Sequence, residues 1–193
     1  ITDLIINNAV GYDGVAMFSD SHAVGGHSID NNLAGTCVEA DTPTVAEMQG
    51  HILNAIGTLL GFVDDQGEPL NDMATAFAVM VPTHYWSATM GALRDQFVSS
   101  GHSNTLVSAM NAGAMSVMPY VNPRISGNTF YVFRTDSDVK PFIWQNDLLE
   151  TSMLGKGSDH HFFNDEQLFG VKRVCAAAVG RFEMATRTAL TDA

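Results

Sequence analysis

Thr44-Val45-Ala46-Glu47 settles its own conformation before anything else in the chain is considered. The Thr hydroxyl can accept from the amide three residues on, and the Glu carboxylate can reach back to the Thr amide, which is a capping box. Pro43 precedes it, where proline is tolerated. Val45, Met48, Ile52, Ile56 and Leu59 then recur at +3, +4, +4 and +3. That spacing predicts one amphipathic helix over residues 44–60, with Gly61 as its stop.

Other segments read as strands and turns. Residues 76–81 form a continuous apolar run ended by Pro82, a buried strand. A second helix is expected from Thr83, with Trp86, Met90, Leu93 and Phe97 as its apolar stripe. Residues 99–104 read as a loop, and 117–121 as a strand before Asn122-Pro123. Residues 129–134 and 141–145 read as the two arms of a hairpin around Thr135-Asp136-Ser137-Asp138. Near the start, Gly11-Tyr12-Asp13-Gly14 is a turn leading to a short strand over 15–18. Residues 19–36 are rich in Ser, Gly, Asn, Asp and His and read as a long surface loop, while 64–69 read as an exposed turn. The tail over 171–188 reads as a strand broken at Gly180. The expected class is α+β, and 193 residues allow one domain or two small lobes.

Charge narrows the function. Nine Lys+Arg against 21 Asp+Glu leave −12, the opposite of what a sequence-independent grip on nucleic acid or on an anionic membrane needs. Apolar residues are 46% of the chain, enough to exclude disorder as its main state. With only 16% charged, much of the surface must be neutral or apolar, which suits burial against copies of itself. No run reaches the roughly 20 apolar residues of a membrane span, and the start has no secretory signal. Cys37 and Cys175 are expected to be free thiols behaving as small hydrophobes. Residue 1 is Ile, and residues 1–8 read as the tail of a helix running into a turn, so the chain is expected to be a piece of a longer product.

Catalytic signals are few. Asp20, His22 and His27 fall in one segment, and His160-His161 follow Asp159. A zinc site needs three or four converging ligands, and neither group supplies them at a fixed spacing. No nucleophile elbow, HExxH helix or phosphate loop is present. A metal-dependent hydrolase built on Asp20, His22 and His27 stays as an alternative, but no catalytic, cofactor-binding or metal-ligating residue is expected. Met73, Met80, Met90, Met110, Met115 and Met118 serve either as core filler or as adaptable contact surface between subunits, with core the first expectation. Trp86 and Trp144 are expected in the core.

Six segments together resemble a known family. They are GYDGVAMFSDSHA, TVAEMQGHILNAIGTLLGFVDDQGEPL, AFAVMVPTHYW, SNTL with MSVMPYV, TFYVFRTDSDVKPFIWQ and FFNDEQLFGVKRVCAAAVGRF. In order and spacing they are similar to the Mu-like phage major head subunit, the gpT-type major capsid protein. The resemblance implies the tailed-phage major capsid fold, with peripheral and axial lobes. The N-terminal arm, extended loop and most of the spine helix would be absent. It would place residues 1–102 mostly in the peripheral lobe with the end of the spine helix, 103–141 mostly in the axial lobe, and 142–193 back in the peripheral lobe. Such families often carry a Trp near the end of the last strand, where this chain has Phe182.

The implied function is structural and non-enzymatic. It is a self-assembling head subunit forming pentamers and hexamers, with other head proteins as partners and no cofactor. It would be found in the virion and, during assembly, in the host cytoplasm. The piece alone is compatible with a monomer. No sequence-specific nucleic acid and no membrane is expected as partner. An encapsulin-like compartment shell protein is the further alternative.

Overall fold

The computed structural model describes residues 1–98 and 101–193, so Ser99 and Ser100 of the expected 99–104 loop lie outside the described residues. The chain divides into two compact units, Thr2–Pro141 with Val179–Ala193, and Phe142–Ala178 with Ile1.

The larger unit is built on a five-stranded sheet. Its strands are β3 (Asn32–Cys37), β4 (Ala76–Val81), β5 (Ser116–Val121), β6 (Thr129–Arg134) and β9 (Ala185–Asp192), in the spatial order β3-β9-β6-β4-β5. β4 runs parallel to β5 and antiparallel to β6, while β9 runs antiparallel to β6 and parallel to β3. The expected strand over 76–81 sits near the centre, with Phe77, Val79 and Val81 almost fully buried. Segments assigned above to different lobes, 1–102 and 103–141, share this one sheet.

After the short helix α1 (Thr2–Ile6), which falls within the expected helix tail over residues 1–8, helix α2 (Val45–Leu60) forms as its sequence predicts. Thr44 Oγ1 accepts from the Glu47 amide at 3.3 Å, and the Glu47 carboxylate accepts from the Thr44 amide at 2.8 Å. Met48, Ile52, Ile56 and Leu59 are buried, and α2 packs on the helix over Trp86–Arg94 as well as on β9, β3 and β6. At roughly 2 kcal/mol each, they make that packing the main reason the helix holds. Gly35 permits the approach, because a Cβ there would come within 2.8 Å of the His51 ring and 2.9 Å of Leu190.

Several expectations are corrected. First, residues 19–36 are not a loop: β1 (His22–Val24) and β2 (His27–Ile29) form a hairpin, followed by β3. Gly25 and Gly26 both have positive φ, 53° and 94°, which is the two-residue turn whose twist matches paired strands. The expected strand over 15–18 is only a bridge between Val10 and Ala16. Second, the stripe of α3 (Trp86–Arg94) is displaced. A 3₁₀ turn over Thr83–Tyr85 shifts the phase and the helix ends at Arg94, so Tyr85, Thr89, Ala92 and Leu93 are buried while Trp86 and Phe97 are exposed. Third, β6 does not form a hairpin with residues 141–145; its partners are β4 and β9. The helix α4 (Thr105–Asn111), capped by Asn104, was not expected.

Between the neighbouring strands β6 and β9 the chain makes an excursion. It is sealed at its base, where the Gly180 amide donates to Pro141 O at 2.8 Å and the Arg181 amide to Lys140 O at 3.2 Å. A Cβ on Gly180 would strike the Lys140 carbonyl oxygen, so this contact requires glycine.

The second unit is that excursion: β7 (Phe142–Leu154), the short helix α5 (Asp159–Asn164) and β8 (Leu168–Val179), with β7 and β8 paired as a two-stranded sheet. The tail expected over 171–188 is thus β8, the break at Gly180, a 3₁₀ turn over Phe182–Met184, and β9.

Candidate assembly surface

The three residues that suggested a metal do not converge. His22 is fully buried, whereas Asp20 and His27 are exposed. His22 Nδ1 lies 2.7 Å from Asp13 Oδ2 and Nε2 lies 3.2 Å from Met17 O, so both ring nitrogens are already engaged. Among the described residues no group of three or more His, Cys, Asp and Glu side chains is placed to hold a metal ion.

His22 belongs instead to a structural cluster. Phe182 stacks on it, and Tyr12 stacks on Phe182 with centroids 5.7 Å apart. Tyr12 Oη donates to the fully buried Glu183 carboxylate at 3.3 Å, and Arg181 pairs with the same carboxylate. Partial burial works to raise the Asp13 carboxyl, but the His22 hydrogen bond and the Val15 amide outweigh it and hold it below its ordinary range. Burial and the Glu183 charge push the Tyr12 phenol up. Phe182, expected near the end of the last strand, precedes β9 and closes this cluster.

Buried asparagines fix the surrounding backbone. Asn31 Oδ1 accepts from the Ser19 amide, and its Nδ2 donates to Met17 O and Phe182 O. Asn71 Nδ2 donates to Leu59 O and Glu183 O at 2.8 and 2.9 Å, while Arg134 Nη1 donates to its Oδ1 at 2.9 Å. Each supplies partners to groups that water cannot reach.

The feature with an unmet physical requirement is the hairpin unit. No residue from 142 to 178 is buried. Trp144, Leu149, Met153, Phe163, Phe169 and Val171 are among its exposed large apolar side chains. A lone two-stranded hairpin is marginal in water, and this one has no apolar face covered. Local order comes from contacts such as Arg173, which lies 5.2 Å from the Trp144 ring centroid and donates to Asn146 Oδ1 at 3.0 Å. Trp144 and Trp86 are therefore exposed, contrary to the expectation that they lie in the core. The methionines follow suit: Met73 and Met118 are exposed, and none of the six singled out in the sequence is fully buried. Cys37 is a buried hydrophobe whose thiol burial pushes up, but Cys175 is exposed on β8.

The sequence pattern assigns no helix or strand to residues 146–170. The available signal was local: Leu148-Leu149, Met153-Leu154, Phe162-Phe163 and Leu168-Phe169 place adjacent apolar pairs among polar residues, a pattern that buries neither face of a strand or helix cleanly.

Residues 111–192 match the family described as the Mu-like prophage major head subunit gpT. No curated protein matches the chain. Two solved structures that it resembles are a virus-like particle from Pyrococcus furiosus and a structure titled Mycobacterium phage Che8. The first is 14% identical with a TM-score of 0.41, over 82% of this chain and 56% of that one. The second is 14% identical with a TM-score of 0.43, over 83% of this chain and 54% of that one. The chain thus spans a little over half the length of each.

Proposed function

We propose that the chain is a structural, non-enzymatic part of a bacteriophage or prophage head subunit, which assembles with copies of itself around DNA. The observation that carries this reading is the match of residues 111–192 to the Mu-like major head subunit family. That segment contains the whole hairpin unit, whose uncovered apolar residues call for a partner. The two compact units are read as belonging to the two lobes of a capsid subunit, the sheet with its helices to one and the hairpin to the other. Pentamers and hexamers, contacts with other head proteins, a place in the virion and assembly in the host cytoplasm belong to the same reading. A net charge of −12 supports a wall along which packaged DNA does not adhere. Among the described residues no helix is long and apolar enough to cross a membrane.

Electron microscopy of the full-length parent product tests the proposal. Closed shells or rings of five and six are expected. A product that stays monomeric at high concentration would overturn it, as would a stoichiometric bound ion with turnover. Shells that load protein cargo instead of DNA would favour the compartment alternative.

A further inference from the structure

We propose that β3 is a docking edge, which takes an extended segment of a partner protein carrying Lys or Arg on either side of a short uncharged stretch. The strand lies at the end of the sheet order and pairs only with β9. The Arg187 and Ala193 amides donate to Asn31 O and Cys37 O, so the odd-numbered residues along this edge bond inward to β9. Asn32, Ala34 and Thr36 therefore turn their backbone groups outward. Asp30 Oδ1 accepts from the Asn32 amide at 2.9 Å, and His51 Nε2 lies 3.2 Å from Thr36 O. Asn32 O, both backbone groups of Ala34 and the Thr36 amide are left facing out, and Ala34 and Thr36 are exposed. These donors and acceptors match the ladder of one added strand.

The strand itself carries none of the devices that normally blunt an edge. Residues 32–37 contain no Pro, Lys, Arg, Asp or Glu. The register with β9 runs from Asn32 to Cys37 without a bulge. The opposite edge of the sheet, β5, has Pro119 within it. One end of the sheet is thus closed to a further strand and the other is open to it.

Charge selects the occupant. Asp30 marks one end of the edge, while Glu47 and Asp192 mark the other, accepting from the Val38 and Ala40 amides at 2.8 and 2.7 Å. Residues 30–47 and 185–193 hold Asp30, Glu39, Asp41, Glu47 and Asp192 against Arg187 alone. Among the described residues none of these carboxylates is ion-paired. Two β3 edges laid together would bring the same charges face to face, which disfavours a second copy. A nucleic-acid backbone is disfavoured for the same reason. Lys or Arg flanking an added strand meets carboxylates at both ends.

The test uses the 193-residue chain and a fluorescent nonapeptide with two lysines at each end of an alternating Thr-Val core. Saturable binding is expected by fluorescence anisotropy, with the Ala34 and Thr36 amides newly protected from hydrogen exchange. The same core flanked by glutamates is expected to bind at least about tenfold more weakly at low salt, a gap that narrows as salt is added. Ala34→Pro removes an outward amide without touching the β9 ladder, so it is expected to abolish binding and keep the circular dichroism. Undiminished binding to a folded A34P, equal affinity for the two peptides, or protection confined to other amides would overturn the proposal. If A34P does not fold, the exchange map of the wild type decides between the same two outcomes. Protection of the Ala34 amide that grows with protein concentration without peptide would give the edge to a second copy and overturn it as well. None of these results bears on the head-subunit reading.

Discussion

The His22 imidazole lies flat on the Phe182 ring, with centroids 3.8 Å apart and planes within 5° of parallel. The contact ties the first residue of β1 to the turn that launches β9, 160 positions away, and Asp13 fixes the imidazole from the side. His22→Ala removes a stack and leaves Asp13 Oδ2 without its His22 partner, at a fully buried position. Urea denaturation is expected to show a loss of about 2–4 kcal/mol, with Phe182→Leu costing less. An H22A midpoint equal to that of the wild type would contradict the structural role given to this residue.

Asp136 sets one limit of acid stability. Partial burial opposes its ionisation, but the Thr75 amide and the Arg134 guanidinium, 2.7 Å from Oδ2 and Oδ1 respectively, bring its carboxyl down to about 2. The folded value is below the unfolded one of about 3.9, so the stabilisation is complete above pH 4 and fades as pH falls through 2. Asp136→Asn is expected to cost about 1–2 kcal/mol at pH 7 and almost nothing at pH 2, read from thermal melts across pH.

Pro119 guards the open edge of the sheet. The Ser116 and Asn122 amides donate to Thr75 O and Val81 O on the β4 side, so residues 117, 119 and 121 turn their amide positions outward. The middle one has no N–H, which breaks the ladder that an added strand would need. Pro119→Thr is expected to leave the fold intact and to raise thioflavin-positive or light-scattering aggregation several-fold; equal scattering would argue that the edge is protected by something else.

Asn71→Ala strips partners from Leu59 O, Glu183 O and the Arg134 guanidinium at once. A destabilisation of about 2–4 kcal/mol follows for buried groups left unpaired. Asn71→Asp supplies the acceptor for Arg134 but neither donor, so it is expected to recover only part of that in the same denaturation assay.

Excising residues 142–178 and joining Pro141 to Val179 with two glycines is expected to leave the sheet unit folded. The donors and acceptors at 140–141 and 180–181 already close the base of the excursion. Circular dichroism and a cooperative melt check this; a molten product would show that the hairpin unit contributes to the core.

Local chemistry was legible where residues close in sequence decide the outcome. The Thr44–Glu47 box, the apolar run ended by Pro82 and the break at Gly180 all read correctly. What escaped depended on distant partners. The strand over 129–134 was visible, but its neighbours β4 and β9 are set by sheet order, not by the polar turn that follows it. Gly25-Gly26 was a hairpin signal inside a polar stretch, and Asn104 was a cap in what read as a loop. The exposure of the hairpin unit was hidden for a plainer reason. Trp144 and Phe163 look like core residues by type, yet both are exposed.

The sealed base at Gly180 has one more effect. Because β6 and β9 are already neighbours, whatever is spliced between Lys140 and Arg181 can grow, shrink or be exchanged without a single sheet pairing shifting its register. Editing that one insertion therefore leaves the pairings of the five-stranded sheet as they are.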